Sequence, residues 1–536
     1  MKRIDWEKYV LLFSISFSSF ILYSFASDGA FDIWKGSEVV KEEGMSPQEF
    51  ASSEGLLNEV ASLLEEKIEI ENIPPIENVN FEQIAAILED GASVEAQVEV
   101  EENEDKETPN LQSAIRMTMD SFPSVLISEA QAESFRHLQS KEWGGYLPTV
   151  DVSLNRGLER SKSPTLRAST FDKRDMIREE NTLTVRQMIF DGRAVSNRVK
   201  SATNLSHRAE ANLQVTKETT GLKVIDVYLN VLRSKELIDI AREKVTQHQG
   251  ILNTVEEREK KGVGRSSDTD QVSGRLALAK AQVERYRAGL ANALSSYEAV
   301  VGVKPARLAV VSLQEVNKRL PDTLEYAALS AKEKHSVLKQ AVYDLASAKA
   351  DVQEAKAAFW PQLHFQFDAS DSSDLDGIEG KSNDMQAKLV LSFNIFNGMT
   401  DLEEKKSRAA LLREKSYSSD LAKRNILKDV HIAWNFLESS KQDFRYFTDH
   451  RNASLSAFNA YQEQYMIAKR TLIDLLNSAD ELSQAQESAV NARYTTILRG
   501  YELLYAMGDL LGDMGVEDED SSMAALSEEQ IIEVSQ

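Results

Sequence analysis

The chain has no cysteine among its 536 residues. That excludes disulfide staples, thiolate metal sites, cysteine nucleophiles and an N-terminal lipid anchor, which needs a cysteine at its processing site. Glycine and proline are sparse, at 23 and 10, so long helices are favoured over frequent turns. Past the N-terminus no run of ~18 apolar residues occurs, so no membrane-spanning helix is expected and membrane residence would require a β-barrel. Seven histidines (137, 207, 248, 335, 364, 431 and 450) follow no metal-ligand spacing, and there is no glycine-rich phosphate cradle. No catalytic residue, metal site or cofactor is therefore indicated. A net charge of -24 without a basic, aromatic-studded patch also excludes nucleic acid as a partner.

What is present begins with an address. Lys2, Arg3 and Lys8 precede an apolar stretch from Val10 to Tyr23 and the small-residue site Ser24-Phe25-Ala26. Residues 1–26 thus form a secretory signal with cleavage expected after Ala26, the alternative being an uncleaved anchor. Residues 27–110 hold 23 acidic and 4 basic side chains, and with them most of the negative charge. They are expected to be a disordered acidic extension, or else a docking segment for a basic partner. A second acidic tail is expected over residues 513–536.

Between these ends the chain repeats. Ile189-Phe190-Asp191-Gly192 returns as Ile395-Phe396-Asn397-Gly398, 206 residues later. Each copy ends an alternating run, turns at Asx-Gly and opens roughly seventy proline-free residues of helical apolar spacing. Val224 and Tyr228 fall on Val430 and Trp434 at the same offset. The first repeat is expected over residues 111–320: helix from Leu111 to Trp143 interrupted at Phe122-Pro123, strands over Pro148 to Arg156 and Thr182 to Phe190, helices from Arg193 to Lys261 and Asp268 to Val301. The second, over 321–512, is expected to have helix from Thr323 to Phe359, a strand around Leu363, Phe365 and Phe367, and another around Met385 to Phe393. Helices from about Thr400 to Ala468 and on to Leu511-Gly512 complete it. Ser266 or Ser267 is expected to cap the returning helix of the first hairpin.

Four strands of ~9 to 11 residues with one apolar and one polar face match membrane β-strands. Four cannot close a barrel, and open edges are not tolerated in hydrocarbon, so such a chain must oligomerise or stay out of the membrane. Tyr146, Phe190, Phe359, Trp360 and Phe396 gather where strands meet helices, as an interfacial belt does. The stretch from Gly157 to Asn181, with Arg160, Lys162, Arg167, Lys173, Arg174 and Arg178, is expected to be a solvated loop, with lipid headgroup contact as the alternative. Asp371 to Asn383 is the corresponding loop of the second copy.

The duplicated strand-loop-strand, the Phe-Asx-Gly exits, the paired helical hairpins and the prolines entering the strands resemble the TolC family of outer-membrane efflux and secretion channels. The resemblance covers about Leu111 to Gly512. It implies a mainly α protein with a membrane β part: a homotrimer with a 12-stranded barrel in outer-membrane lipid joined to an α-helical barrel across the periplasm. Pro148, Phe190, Gly192, Pro361, Phe396 and Gly398 would mark the barrel-tunnel junction. The hairpin ends, Gly262 to Asp268 and Ala468 to Asp474, would close the tunnel as a periplasmic gate in which Tyr465 and Arg470 reach Asp268 and Ser267. Asp474 would belong to an acidic ring, whose second usual position is Asn477 here. The implied function is a passive exit duct, not an enzyme, serving type I protein secretion or efflux with a periplasmic adaptor and an inner-membrane transporter. Secretion and agglutination-associated members are the subgroup it resembles. The competing reading is a periplasmic coiled-coil structural or adaptor protein outside the membrane.

Overall fold

Along the chain, α1 (Leu111–Ser121) and α2 (Pro123–Trp143) lead into β1 (Thr149–Ser161) and β2 (Arg174–Phe190), then α3 (Ala194–Lys260) and α4 (Ser266–Val301). Next come α5 (Leu313–Arg319), α6 (Leu324–Lys334) and α7 (Ser336–Ala355), then β3 (Gln362–Ser373) and β4 (Lys381–Ser392). The chain continues with α8 (Thr400–Met466), α9 (Leu472–Met507) and the single turn α10 (Leu510–Asp513). This computed structural model describes residues 110–162, 174–305 and 307–515. The expected signal, nearly all of the acidic extension, and the tail beyond Gly515 lie outside the described residues.

The duplication is exact in helix length. α3 and α8 each have 67 residues, and α4 and α9 each have 36, with every boundary displaced by 206. Backbone conformation repeats as well: left-handed residues at Gly192, Arg193, Gly262 and Gly302 recur at Gly398, Met399, Ala468 and Gly508. At ~1.5 Å per residue, α3 and α8 are each on the order of 100 Å long. Among the described residues, three apolar clusters hold the helices together. One centres on Tyr228, Tyr297 and Ile497, the second on Leu437 and Leu503, and the third, at the hairpin ends, on Val272, Leu475 and Leu482.

Several boundaries differ from those the sequence suggests. β1 and β2 run on through much of the stretch expected to be loop, because charged residues pair across the strands. Arg156 faces Glu179 and Arg160 faces Asp175 in register, with ion pairs of 3.0 and 2.6 Å. Charge on the otherwise apolar face hides a strand from apolar periodicity. β3 and β4 likewise extend to Ser373 and from Lys381. Ser266 and Ser267 lie inside the first turn of α4; its N-cap is Arg265, without a side-chain hydrogen bond. α8 ends at Met466, short of Ala468, and α9 ends at Met507, capped by Gly508, with α10 following.

The helix expected from Thr323 to Phe359 is broken at His335. Gly508 packs closely on the break: a Cβ there would lie 2.6 Å from the His335 Cα. His335 turns extended (φ -63°, ψ 119°), and its Nδ1 accepts from Val337 N at 3.2 Å, capping α7. Burial holds the His335 imidazole down at about 4, against an opposing pull from Asp429. The folded value lies below the ordinary ~6.5, so the stabilisation is full above pH ~6.5 and is lost as pH falls toward 4. The expected loss is at most about 1.4 kcal/mol per pH unit. His335→Asn keeps a good cap but does not titrate. Thermal unfolding between pH 7 and 5 should fall for wild type more steeply than for this variant.

The two Asx-Gly turns are alike in conformation and unlike in surroundings. Gly192 has φ +69°, and a Cβ on it would lie 2.8 Å from the Trp360 Cβ and 2.9 Å from the Ala357 carbonyl. Gly398 has φ +56° and nothing within 4 Å of that position. A left-handed alanine costs ~1–2 kcal/mol, and forced overlap adds ~1–3. Gly192→Ala should therefore lower unfolding free energy by about 2–5 kcal/mol and Gly398→Ala by about 1–2, in chemical denaturation of the two variants.

Candidate functional site

The strands form one antiparallel sheet in the order β1-β2-β3-β4, with β1 and β4 as its edges. Pro148 enters β1 and Pro361 enters β3, each where a missing N–H is tolerated. Side chains alternate, and register aligns them in rows. On one face Val150, Val185, Phe367 and Ala387 line up, followed by Val152, Leu183, Ala369 and Met385. Toward the helices that face continues through Phe365 with Leu389 and Leu363 with Leu391.

Among the described residues, no layer covers this face. Val152 is 66 % exposed, Leu154 73 % and Leu391 68 %. At ~3.4 Å per residue the apolar run from Leu363 to Ala369 covers roughly 20 Å, close to the apolar band of an outer-membrane barrel. Beyond it the rows turn polar, with Asn181, Asp371 and Asn383, and then charged, with Arg156 and Glu179.

The opposite face is mostly polar, interrupted nearest the helices by Met188 and Val390 on either side of His364. Arg186, Gln366 and Lys388 share a row with Thr149, and Asp151, Thr184, Asp368 and Gln386 share the next. Asp368 is its hub: it pairs with Lys388 at 2.9 Å and accepts from Gln366 at 2.8 Å and Thr184 at 3.1 Å. A sheet apolar and uncovered on one side and hydrogen-bonded on the other suits lipid outside and water inside.

At the junction, Phe190, Phe359, Trp360 and Phe396 are all substantially exposed. Gln187 donates to the Tyr146 carbonyl at 3.0 Å, tying Tyr146 to β2, and the Tyr146 ring packs against Trp143 at 5.4 Å. Asp191 supplies the cap that begins α3, accepting from Val195 N at 2.7 Å. Phe190 and Leu363 are register partners across a bulge. Gly192 abuts Trp360, so the end of β2 meets the entry to β3, whereas Phe396 and Gly398 follow the end of β4.

At the far end, the tips of the two hairpins share one apolar cluster. Arg470 is held on its own hairpin: its Nε donates to Gln464 at 3.1 Å, its guanidinium lies 4.3 Å from the Tyr461 ring centre, and Asp474 is 3.9 Å away. Asp474 and Thr471 form a reciprocal capping box at the start of α9, with bonds of 3.3 and 3.2 Å. Tyr465 is buried. Asp268 lies in the first turn of α4. Among the described residues, neither its carboxylate nor the Ser267 hydroxyl has a partner within the protomer. The expected contacts from Tyr465 and Arg470 to Asp268 and Ser267 are thus not made inside one chain.

Sequence reasoning missed two tip features. Arg258, near the end of α3, donates to the Tyr465 and Met466 carbonyls, each at 3.2 Å, and stacks on the Tyr465 ring at 4.6 Å. Further up, Asp480 of α9 receives Lys244 at 2.9 Å and Arg275 at 2.6 Å, with fully enclosed His248 at 3.5 Å. Burial pushes the Asp480 carboxyl up, but His248 and Lys244 beside it outweigh burial and hold it down at about 2. Glu487 repeats the theme, accepting from Gln282 at 2.6 Å and Tyr286 at 2.7 Å. Cationic residues in a last helical turn and acids at regular spacing were the available signals. The partners, however, lie over 200 residues away.

Comparison with known proteins agrees with this geometry. The profile described as "Outer membrane efflux protein" matches residues 122–303 and 329–508, one stretch per repeat. Outer membrane efflux protein BepC of Brucella suis is 22 % identical over 332 residues, 62 % of this chain and 72 % of BepC. Outer membrane protein TolC of Vibrio cholerae is 19 % identical over 412 residues, 75 % of this chain and 91 % of TolC. Among solved structures, the Campylobacter jejuni CmeC outer membrane channel superposes with a TM-score of 0.66 at 13 % identity, covering 76 % of this chain and 90 % of CmeC. The open state of the Neisseria gonorrhoeae MtrE channel gives 0.62 at 17 % identity, covering 75 % and 90 %. With both repeats matched and the channel fold shared, the chain belongs to the outer membrane efflux protein family, the family of TolC.

Proposed function

We propose that three copies of this chain join β1 to β4 in a 12-stranded barrel in the outer membrane, with the helical hairpins continuing as a duct across the periplasm. The observation carrying this is the sheet: an apolar face of membrane height that, among the described residues, is uncovered by protein and lies between two unpaired edges. In hydrocarbon those edges cost several kcal/mol per unpaired group, and closure by copies of the same chain removes the cost. Asp368 and its neighbours would then line a watery lumen. Among the described residues no helix is long and apolar enough to cross a membrane, so the barrel is the membrane element. A coiled-coil protein free of the membrane leaves the apolar face without a role.

The duct itself is passive. A periplasmic adaptor and an inner-membrane transporter supply cargo and energy, and the hairpin ends form the gate. Tyr465, Arg470, Asp268, Ser267 and Asp474 are its assigned residues; the free carboxylate of Asp268 and hydroxyl of Ser267 are available to a neighbouring copy. Cargo class depends on the transporter. Relatives include a pyoverdine export protein of Pseudomonas aeruginosa and a toluene efflux pump protein of Pseudomonas putida, while the secretion-associated resemblance points to type I export of a polypeptide. Deletion separates these: loss of a secreted polypeptide from the medium supports export, and heightened sensitivity to toxic small molecules supports efflux.

Membrane fractionation tests the assembly. The expected product is a trimer in the outer membrane that resists detergent until heated, and a soluble monomer in periplasmic extract contradicts the proposal. In planar bilayers the Tyr465→Phe, Arg470→Ser double variant should conduct several-fold more than wild type. Unchanged conductance removes these residues from the gate.

A further inference from the structure

We propose that Arg258 is a positioning residue of the closed tip, a latch within each protomer that fastens the second hairpin to the first. It rests on the reading of the hairpin ends as a gate, and it assigns a tie distinct from the contacts of Tyr465 and Arg470 with Asp268 and Ser267. The contacts that side chain makes are all across the hairpins. Arg258 belongs to α3 of the first, and its three partners, the Tyr465 ring and the carbonyls of Tyr465 and Met466, belong to the end of α8 in the second.

The chemistry of that end explains why arginine stands there. The last carbonyls of a helix lack intrahelical donors and carry its partial negative charge, so a cation capping them is favoured. Here the capping cation comes from another helix, which turns an ordinary C-cap into a tether. A planar guanidinium can stack on the ring while its Nη2 bonds both carbonyls, and an ammonium lacks this geometry. The Tyr465 ring is buried in the tip cluster with Leu472, Leu475 and Val272, so the stack is screened from water on one side. Arg470, by contrast, satisfies itself on its own hairpin. The two arginines therefore act on different boundaries. Arg258 fixes hairpin to hairpin inside a protomer, whereas Arg470 braces the second hairpin alone and Asp268 and Ser267 are left available to a neighbouring copy.

A general loss of stability predicts something different from a latch. The Asp480 hub joins the same two hairpins higher up, through Lys244 and Arg275. If any weakening of this seam opened the tip, Asp480→Asn would do so as well.

The test is single-channel conductance of the full-length trimer in planar bilayers, with trimer integrity checked by gel. Arg258→Met keeps the aliphatic stem and removes both donors and charge. It should raise conductance several-fold, and Arg258→Lys should bring it part of the way back. Asp480→Asn should lower the melting temperature and leave conductance at the wild-type level. The effect of Arg258→Met should persist in a Tyr465→Phe background, which keeps ring and carbonyls, and shrink in Tyr465→Leu, which removes the ring. Should Arg258→Met fail to trimerise, Arg258→Gln is read in the same way. Wild-type conductance in intact Arg258→Met or Arg258→Gln trimers overturns the latch, as does Asp480→Asn opening the channel equally. If Arg470→Ser opens the channel while the Arg258 variants stay closed, the gate reading stands without Arg258. If none of them opens it, the gate reading falls as well.

Discussion

Backbone hydrogen bonding in hydrocarbon is the constraint on which the rest of this structure depends. A four-stranded sheet pairs its three internal ladders and leaves one side of β1 and one side of β4 unmatched. In water those groups would be solvated at little cost. Against lipid they must be paired, and the only partners of matching length and register that the chain offers are its own copies. The uncovered apolar face and the open edges are therefore one feature seen from two directions. Each requires the other to be resolved by assembly.

The helical part answers to the same duplication. Equal helix lengths at a constant offset bring two hairpin ends to one level, so a gate there can be built from side chains distant in sequence. The left-handed pairs Gly192-Arg193 and Gly398-Met399 make the same reversal from strand to helix in both copies. Yet the copies are not equivalent. The first junction is packed tightly against Trp360 and the second is open. At the tips, Gly262 in the first copy becomes Ala468 in the second, held at φ 56° despite its side chain. Strain is thus accepted at the end of the second hairpin, where Arg258 and the apolar cluster over-determine the backbone.

Much of this was legible in the sequence. Few glycines and prolines and a steady apolar spacing mark α3 and α8, and the Phe-Asx-Gly pair fixes their starts to within a few residues. Alternation locates the apolar-faced halves of the strands. It fails on their outer halves, because Arg156, Glu179, Arg160 and Asp175 carry charge on the face that is apolar nearer the helices. The break at His335 carries no proline or glycine of its own; the close contact there, Gly508, lies elsewhere in the chain. Arg258 was invisible for a different reason. Its hydrogen-bond partners are backbone carbonyls, which every sequence has, so only the packed hairpins reveal which arginine reaches them. The assigned gate residues Tyr465, Arg470 and Asp474 fall at the expected tip, although inside one protomer Arg470 and Asp474 engage each other rather than Asp268 and Ser267.

The absence of cysteine gives a clean background for the most direct measurement. Single cysteines placed along β1 can be challenged with a water-soluble, membrane-impermeant maleimide in the native membrane. Asp151→Cys, Ser153→Cys and Asn155→Cys, on the polar face, should label. Val150→Cys, Val152→Cys and Leu154→Cys, on the apolar face, should be protected until the membrane is dissolved in detergent. Labelling that alternates with residue number is the result this account predicts, and equal labelling of both sets before detergent would contradict it.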